Sequence, residues 1–527
     1  MAKAGLPAAG GVPLASRTGR WVLACAVLGS GMALLDGTIV NIALPRLGRD
    51  LGASLADLQW VLNGYLLTLA GLILLGGGLG DRYGRRRVFT IGVVWFAAAS
   101  ALCGVAQDSR TLIAARALQG VGGALLTPGS LALVQSTYRE EDRGRAVGAW
   151  SGLGGVAGAI GPFLGGWLVD GPGWRWIFYV NVPLAVVVAL IAVRHVPESR
   201  DRNASGSFDV RGAALAALAL AGVTYALISA SGHASLLTVG LPALAGVACA
   251  VAFLRTERTS AHPMLPLSVF SSRLFSAMNL VTLCLYAAIG GVFFLLPVQL
   301  QTAAGYDALH AGLATLPVTV LMLLLSAPAG ALAQRIGPRW PLTVGPVLAG
   351  AGMLLLTRVS PSTTSYWVDV LPAVVVQGLG MSMFVAPLTA TVLASVAVDH
   401  AGVASGVNNA AARVAQLLVV AALPLVVGLS SHAYTSPHAV NTAFGRAMAV
   451  CAGLCAASAA LALLLVPSGR WARRRRSRRR GRSARRTAGS PLPRWSPGRA
   501  RDRALSRARG RARRRVRSGG RSGPATP

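Results

Sequence analysis

Three ionisable side chains stand inside long apolar segments of the sequence. Before residue 470, every acidic residue except Asp36 falls between such segments or at their ends, and Arg116 and Arg413 are the bases at comparable depth. If these segments cross a membrane, a charge at their centre costs about 2.5–3.5 kcal/mol on insertion scales. An acid there indicates function, most often a proton or cation site. The alternatives are a structural hydrogen bond or ion pair for Asp36 and packing or snorkelling for Arg116. Arg413 faces either a cavity or the cytoplasmic end of its helix.

The composition identifies the elements that must position these side chains. The chain has 527 residues, of which 54% are hydrophobic and 13% are charged, yet its net charge is +33. A soluble domain is typically about 25% charged. The positive charge is concentrated in an arginine-rich segment at 470–527. This pattern excludes an ordinary soluble enzyme or a nucleic-acid-binding domain for the main body, and it predicts an integral membrane protein with a basic tail.

Apolar runs of about 20 residues, the length that crosses a bilayer, predict fourteen membrane helices. Continuous runs of this length are typical of helices rather than of alternating barrel strands. The predicted segments are 21–45, 58–79, 88–107, 111–134, 146–169, 176–193, 210–230, 235–254, 274–297, 309–332, 341–357, 368–390, 403–429 and 444–466.

Arginines in the connections predict the orientation. Arg82, Arg85, Arg86 and Arg87 follow the second segment, and the other connections on that side are also richer in arginine than those opposite. Positive residues concentrate on the cytoplasmic side. We therefore expect a multi-pass protein of the cell membrane with both termini in the cytoplasm.

An internal repeat indicates how the helices are grouped. Gln119-Gly120-x-Gly122 recurs as Gln377-Gly378-x-Gly380, and the Gly-x-Leu-x-x-Arg-x-Gly pattern from Gly77 recurs from Gly330. Parallel repeats of this kind are typical of secondary transporters with a site near mid-membrane. The predicted organisation is a cytoplasmic N-terminus (1–20), a six-helix bundle (21–193), a linker with two extra helices (194–273), a second six-helix bundle (274–466) and a disordered tail (467–527).

The repeat does not extend to the charges. The positions equivalent to Asp36 and Arg116 are Ala288 and Val374. This asymmetry predicts that ion coupling belongs to the first bundle.

The sequence gives little indication of metal binding, nucleotide binding or catalysis. The six cysteines lie in apolar runs without metal-binding spacing, so packed thiols are expected and no metal site is predicted. A nucleotide-binding loop, paired acids and a nucleophile triad are all missing from the sequence. We therefore expect neither an enzyme nor a cofactor.

Several motifs resemble the major facilitator superfamily, and in particular its fourteen-span drug:proton antiporters. The resemblance covers about 20–466. The motif after the second helix is matched by Gly77, Asp81, Arg82, Gly84, Arg85 and Arg86, and the helix-five antiporter motif is matched by Gly161, Pro162, Gly165 and Gly166. The Leu35–Pro45, Arg116–Gly122 and Trp174–Pro183 segments match further motifs of the fourteen-span branch.

The resemblance implies alternating access with proton coupling. It implies a proton-coupling pair of Asp36 and Arg116. The ion pairs possible around Asp81 predict a conformational role for the helix-two loop, with positive-inside anchoring as the alternative. The glycines of helix five predict a bending or sliding role, with tight static packing as the alternative. The resemblance also implies a small lipophilic substrate, a proton gradient as energy source and a functional monomer. Candidate cavity residues, each with packing as the alternative, are Asn41, Trp60, Tyr65, Asn279, Tyr286, Gln377 and Phe384.

The sequence departs from the family pattern at three places, and the last of them bears on the charge of the substrate. Ala157 stands where the helix-five motif often has glycine, and Gln334 replaces the acid of the second loop. The predicted segment 309–332 holds no acid, whereas members of the family that export divalent cations tend to carry extra membrane acids. The resemblance therefore disfavours dicationic substrates and favours neutral or monocationic ones. An importer, a lipid flippase or a non-transporting membrane sensor are the alternatives to an exporter.

The arginine-rich tail is predicted to be disordered, because it has almost no apolar residues to form a core. On the cytoplasmic side it would bind anionic lipid, at about 1 kcal/mol per basic residue near the surface. Non-specific binding of nucleic acid and no specific role are the alternatives, and no sequence-specific nucleic-acid partner is expected.

Overall fold

The computed structural model describes residues 11–200, 209–232, 234–260, 263–361, 365–396, 401–430 and 433–467. Within these residues, fourteen helices are long and apolar enough to cross a membrane, which confirms the predicted all-α architecture. They are α1 (Arg17–Leu51), α2 (Leu55–Tyr83), α3 (Arg85–Val105), α4 (Ser109–Thr137), α5 (Glu140–Asp170), α6 (Trp176–His195), α7 (Val210–Ala230), α8 (Leu236–Thr259), α9 (Arg273–Ala303), α10 (Ala308–Ile336), α11 (Arg339–Arg358), α12 (Tyr366–Ala394), α13 (Gly402–Val427) and α14 (Pro437–Leu465).

The helix ends extend beyond the apolar runs that predicted them. α1 begins after Ser16, whose side chain accepts a hydrogen bond from the Gly19 amide, and ends at Gly52 in the left-handed conformation. α2 begins with a capping box between Ser54 and Asp57. Polar caps satisfy the free backbone groups of a helix end. The helices therefore continue past the hydrocarbon-length segment, so apolar length alone underestimated them. The predicted basic tail lies outside the described residues.

The repeated glycines make equivalent helix contacts in the two halves. A Cβ on Gly122 of α4 would lie 2.6 Å from the Phe96 amide nitrogen of α3, and one on Gly380 of α12 would lie 2.8 Å from Ala349 Cα of α11. In the same way, a Cβ on Gly120 would meet α2, and a Cβ on Gly378 would meet Val318 of α10. Each glycine permits the close approach of two backbones. α1–α6 and α9–α14 thus form two related six-helix bundles.

The two extra helices lie at the side of this core. Tyr225 of α7 packs against Trp60 of α2, with ring centroids 6.2 Å apart, and Gly71 of α2 leaves room for Ala217 of α7. α8 packs on α7, where Gly222 and Gly246 bring the two backbones together. Few residues of α8 are fully buried.

α5 touches the second bundle at one end of the molecule and faces open space at the other, whereas α2 and α13 are in contact along their length. We call the end that holds residues 81–87 the motif-loop end and the opposite one the far end. At the far end, Gly166 of α5 touches the start of α10, and Gln301 of α9 donates to the Ile42 carbonyl of α1 at 2.9 Å. The same face of α5 carries Gly144, Gly148, Gly152 and Gly155 towards the motif-loop end, and a Cβ on any of them would meet nothing within 4 Å.

Candidate functional site

The Asp36 carboxylate is held inside the first bundle, with both oxygens occupied. Oδ2 lies 2.6 Å from Arg116 Nη1. Oδ1 accepts hydrogen bonds from Gln119 Nε2 at 2.8 Å and from Asn181 Nδ2 at 3.3 Å. The exposed fraction is 0% for Asp36 and 1% for Arg116. A buried charge must be paired and hydrogen-bonded to be tolerated, and this pair satisfies both conditions.

The guanidinium of Arg116 has partners on three helices. Besides Asp36 on α1, Nε donates to the Val61 carbonyl of α2 at 3.1 Å, and Nη1 donates to Gln119 Oε1 of α4 at 2.5 Å. Its carbon lies 4.4 Å from the ring centroid of Tyr65. A planar guanidinium can satisfy a carboxylate, a carbonyl and an aromatic face together, which a lysine ammonium cannot.

Ser100 of α3 and Asn181 of α6 complete the network. Ser100 Oγ accepts from Gln119 Nε2 at 3.2 Å and from Asn181 Nδ2 at 3.1 Å, and it donates to the Phe178 carbonyl. Gln119 and Asn181 stood in the quoted motifs without an assigned role, and Ser100 was missed, since one serine in an apolar run gives no signal. The network joins α1, α2, α3, α4 and α6. Protonation of Asp36 would break its ion pair while leaving Arg116 its other partners.

The glycines of the helix-five motif place α5 against both bundles. A Cβ on Gly165 would lie 2.8 Å from Ile39 Cγ1 of α1, and one on Gly166 would lie 2.6 Å from Leu309 Cα of α10. Thr38, two residues after Asp36, donates to the Gly158 carbonyl at 3.1 Å and is touched by Gly161. Pro162 touches Gly312 of α10. The motif therefore connects the helix that carries Asp36 to the far-end contact between bundles.

The helix-two loop is anchored by a residue that the sequence analysis missed. Asp81 pairs with Arg85 at 2.7 Å. Glu198, which follows α6, accepts from the Arg86 and Arg87 amides at 3.1 and 3.2 Å and thereby caps α3. Gly84 has a φ of 111°, and a Cβ there would lie 2.8 Å from the Glu198 carboxylate. Arg82 packs over the ring of Tyr83. A Cβ on Gly77 would touch Pro128 of α4.

The predicted cavity residues are distributed over several environments. Tyr65 belongs to the Asp36 network, Trp60 packs on α7, and Asn41 donates to the Gly37 carbonyl of its own helix. Asn279 accepts a 3.4 Å hydrogen bond from Asn408 of α13. Tyr286 is half-buried, whereas Gln377 and Phe384 are buried in the second bundle. A substrate-binding role for these residues stays a prediction.

Comparison with known proteins identifies the family. The sequence model of the Major Facilitator Superfamily matches residues 26–420. The chain belongs to the Major Facilitator Superfamily. It is 38% identical to the puromycin resistance protein pur8 of Streptomyces alboniger, over 85% of this chain and 91% of the relative. It is 36% identical to the tetracenomycin C resistance and export protein of Streptomyces glaucescens, over 77% of this chain and 75% of the relative.

Solved structures show the same fold. The crystal structure of a D-xylose-proton symporter superposes with a TM-score of 0.61 at 16% identity, covering 85% of this chain and 98% of the symporter. The resemblance stated from the sequence is therefore confirmed, and this Major Facilitator Superfamily member is a multi-pass membrane protein. Among its described residues, no group of three or more His, Cys, Asp or Glu side chains is placed to hold a metal ion.

Proposed function

We propose that this chain is a proton-coupled antiporter that exports lipophilic drugs, antibiotics or secondary metabolites across the cytoplasmic membrane. Export is supported by relatives named as resistance and export proteins. Proton coupling is supported by one observation above all, the fully buried Asp36–Arg116 pair. No other described carboxylate in the middle of the helices is paired in this way with an arginine from a different helix.

The proposed cycle uses the ion pair as the element that changes state. A proton from the outside neutralises Asp36, and Arg116 then keeps its bonds to Val61 and Gln119. The change reaches α5 through Thr38, one half-turn along α1, and through the glycine contacts described above. Loss of the pair would thereby alter the contact between bundles at the far end. Release of the proton to the cytoplasm restores the pair.

The remaining parts of the proposal concern the setting of the protein. The motif-loop end faces the cytoplasm, so this conformation is open towards that side along α5. Both termini are cytoplasmic, the basic tail lies on anionic lipid, and the monomer is the functional unit. The proton gradient, rather than a bound cofactor, supplies the energy.

Efflux from a pump-deficient bacterium tests this proposal. Energised cells expressing the wild type would expel a panel of lipophilic dyes and antibiotics, and a protonophore would abolish the export. Asp36→Asn would abolish it at equal protein level, because an amide cannot release a proton. Asp50→Asn is the matched control, since Asp50 forms an exposed pair with Arg46 at the far end.

The outcomes separate the competing functions. Export that persists in Asp36→Asn would remove Asp36 from the mechanism. Accumulation instead of export under the same gradient would favour an importer. Lipid translocation without drug export would favour a flippase, and no transport of any compound by a folded protein would favour a sensor.

A further inference from the structure

Arg413 is placed on the surface of α13 that faces the first bundle. Gly406 of α13 touches Leu74 of α2, and the Val420 carbonyl of α13 accepts from Gln59 of α2 at 2.6 Å. Arg413 lies seven residues, or two helical turns, from each of these contacts. It therefore lies midway along the seam between α2 and α13, on the side turned towards α2. This position decides between the two alternatives left open by the sequence, in favour of the interior.

The charge of Arg413 is not compensated by the protein. Its Nη1 donates to Gln416 Oε1 at 3.1 Å, and in the part of the chain that the structure describes no carboxylate lies within 4.0 Å of the guanidinium. Asp36 is paired with Arg116 and forms no ion pair with Arg413 within this distance. The middle of the two bundles thus carries one excess positive charge. A half-buried guanidinium without an anion is unfavourable in a low-dielectric interior.

Asn63 of α2 provides an independent sign of a missing ligand. The residue is 0% exposed, yet neither its Nδ2 nor its Oδ1 has a hydrogen-bond partner among the described residues. It lies one turn from Gln59, whose side chain bonds to α13, so Asn63 is directed to the same seam as Arg413. A buried amide without partners costs about 1–3 kcal/mol for each unsatisfied group. The seam therefore offers a cation without a carboxylate beside it, and an amide whose donor and acceptor both lack partners among the described residues.

A tyrosine of α9 lies close to this place. Gln416 packs against Gly290, one turn from Tyr286. A flat aromatic body beside Arg413 would lie next to this part of α9.

We propose that Arg413 and Asn63 form a substrate subsite for organic anions, with a carboxylate or phenolate on an aromatic body. The arginine would bind the anion through its forked donors, and the asparagine would bond to a neighbouring polar group of the substrate. This inference rests on the proposed transport function and names its substrate class. It departs from the preference for neutral or monocationic substrates, because that preference considered only the lack of acids in 309–332 and not the uncompensated charge of Arg413.

Binding of two related dyes to the full chain tests the subsite. Fluorescein is anionic and rhodamine 6G is cationic, but they share the xanthene ring system. The chain is purified into phosphatidylcholine nanodiscs, and binding is measured by equilibrium dialysis against empty nanodiscs. We expect the wild type to bind fluorescein in preference to rhodamine 6G.

The variants distinguish charge from packing. Arg413→Gln should weaken fluorescein binding about tenfold or more, the size expected for a charge-assisted hydrogen bond, and should leave rhodamine 6G binding unchanged or stronger. Arg413→Lys should retain part of the preference for fluorescein over rhodamine 6G. Asn63→Ala should weaken fluorescein binding without reversing that preference. Arg446→Gln is the matched control, because Arg446 is an exposed arginine of α14 that donates to the Val427 carbonyl.

Each result bears on the inference. Wild-type protein that binds neither dye, or that prefers rhodamine 6G, overturns the inference. It is also overturned if Arg413→Gln weakens the binding of both dyes equally, while Arg446→Gln and Arg413→Lys keep the preference for fluorescein. Proton-driven efflux of rhodamine 6G without fluorescein binding would leave the proposed function standing and remove the anion subsite. Selective fluorescein binding without any proton-driven efflux would support the anion subsite and remove the proposed transport function.

Discussion

Asp170 Oδ2 accepts a hydrogen bond of 2.7 Å from the Leu309 amide, which joins the last turn of α5 to the first turn of α10. The bond caps a helix of one bundle with a carboxylate from the other. It lies beside the Gly166 and Gly312 contacts at the far end. The bond can exist only while the two bundles are closed there, so it belongs to one of the two states that alternating access requires.

Loss of this bond should favour opening at the far end. In Asp170→Ala the Leu309 amide loses a charge-assisted partner, which is worth about 1.5–3 kcal/mol. We expect a cysteine introduced at the buried Ala308 to react several-fold faster with a membrane-impermeant maleimide, in a background without the native cysteines. Asp50→Ala at the same end should leave the rate unchanged. Equal rates in all three proteins would show that the bond does not hold the far end closed.

The two ends of α5 should respond differently to an added methyl group. In Gly166→Ala the new Cβ would lie 2.6 Å from Leu309 Cα, so the bundles must separate and both efflux and thermal stability should fall. In Gly148→Ala nothing lies within 4 Å. Because alanine favours a helix over glycine by about 0.5–1 kcal/mol, this control should be neutral or slightly stabilised. A melting temperature that falls equally in both variants would contradict the packing described for α5.

Glu198 should stabilise the motif-loop end mainly as a helix cap. Its ion pair with Arg86, at 3.6 Å, is half-exposed, and such pairs contribute about 0–1 kcal/mol. Glu198→Gln keeps the acceptor oxygen and should change stability little. Glu198→Ala leaves the Arg86 and Arg87 amides without an acceptor. It should lower the free energy of unfolding by about 0.5–2 kcal/mol, the usual range for a lost cap. Thermal unfolding in detergent measures both variants, and equal losses would assign the effect to the charge instead.

Arg116 should not be replaceable by lysine. The ammonium of Arg116→Lys keeps the positive charge but cannot reach Asp36, the Val61 carbonyl and Gln119 with a planar fork. We expect efflux to fall about tenfold or more, as for loss of a bond to a charged group. Arg110→Lys, at an exposed position of the same helix, is the control. Full activity in Arg116→Lys would reduce the role of Arg116 to its charge alone.

Much of the fold could be predicted from the sequence, for a local reason. Whether a segment can cross a membrane depends on its own length and polarity, so fourteen helices could be counted, including the pair within 210–254. The repeated glycines predicted the two related bundles. Asp36 and Arg116 could be singled out because a charge in an apolar run is costly wherever the run packs.

The tertiary structure alone decided which of these groups meet. Asp36 and Arg116 are 80 residues apart, and Ser100 and Asn181 come from two further helices. Glu198 meets the helix-two loop across 112 residues. Helical periodicity fixes which residues share a face, but the rotation of each helix and the choice of its neighbours are set by packing among all fourteen. For that reason the sequence determined that three charges lie within the membrane, whereas packing determined that two of them pair and that Arg413 is left facing the seam.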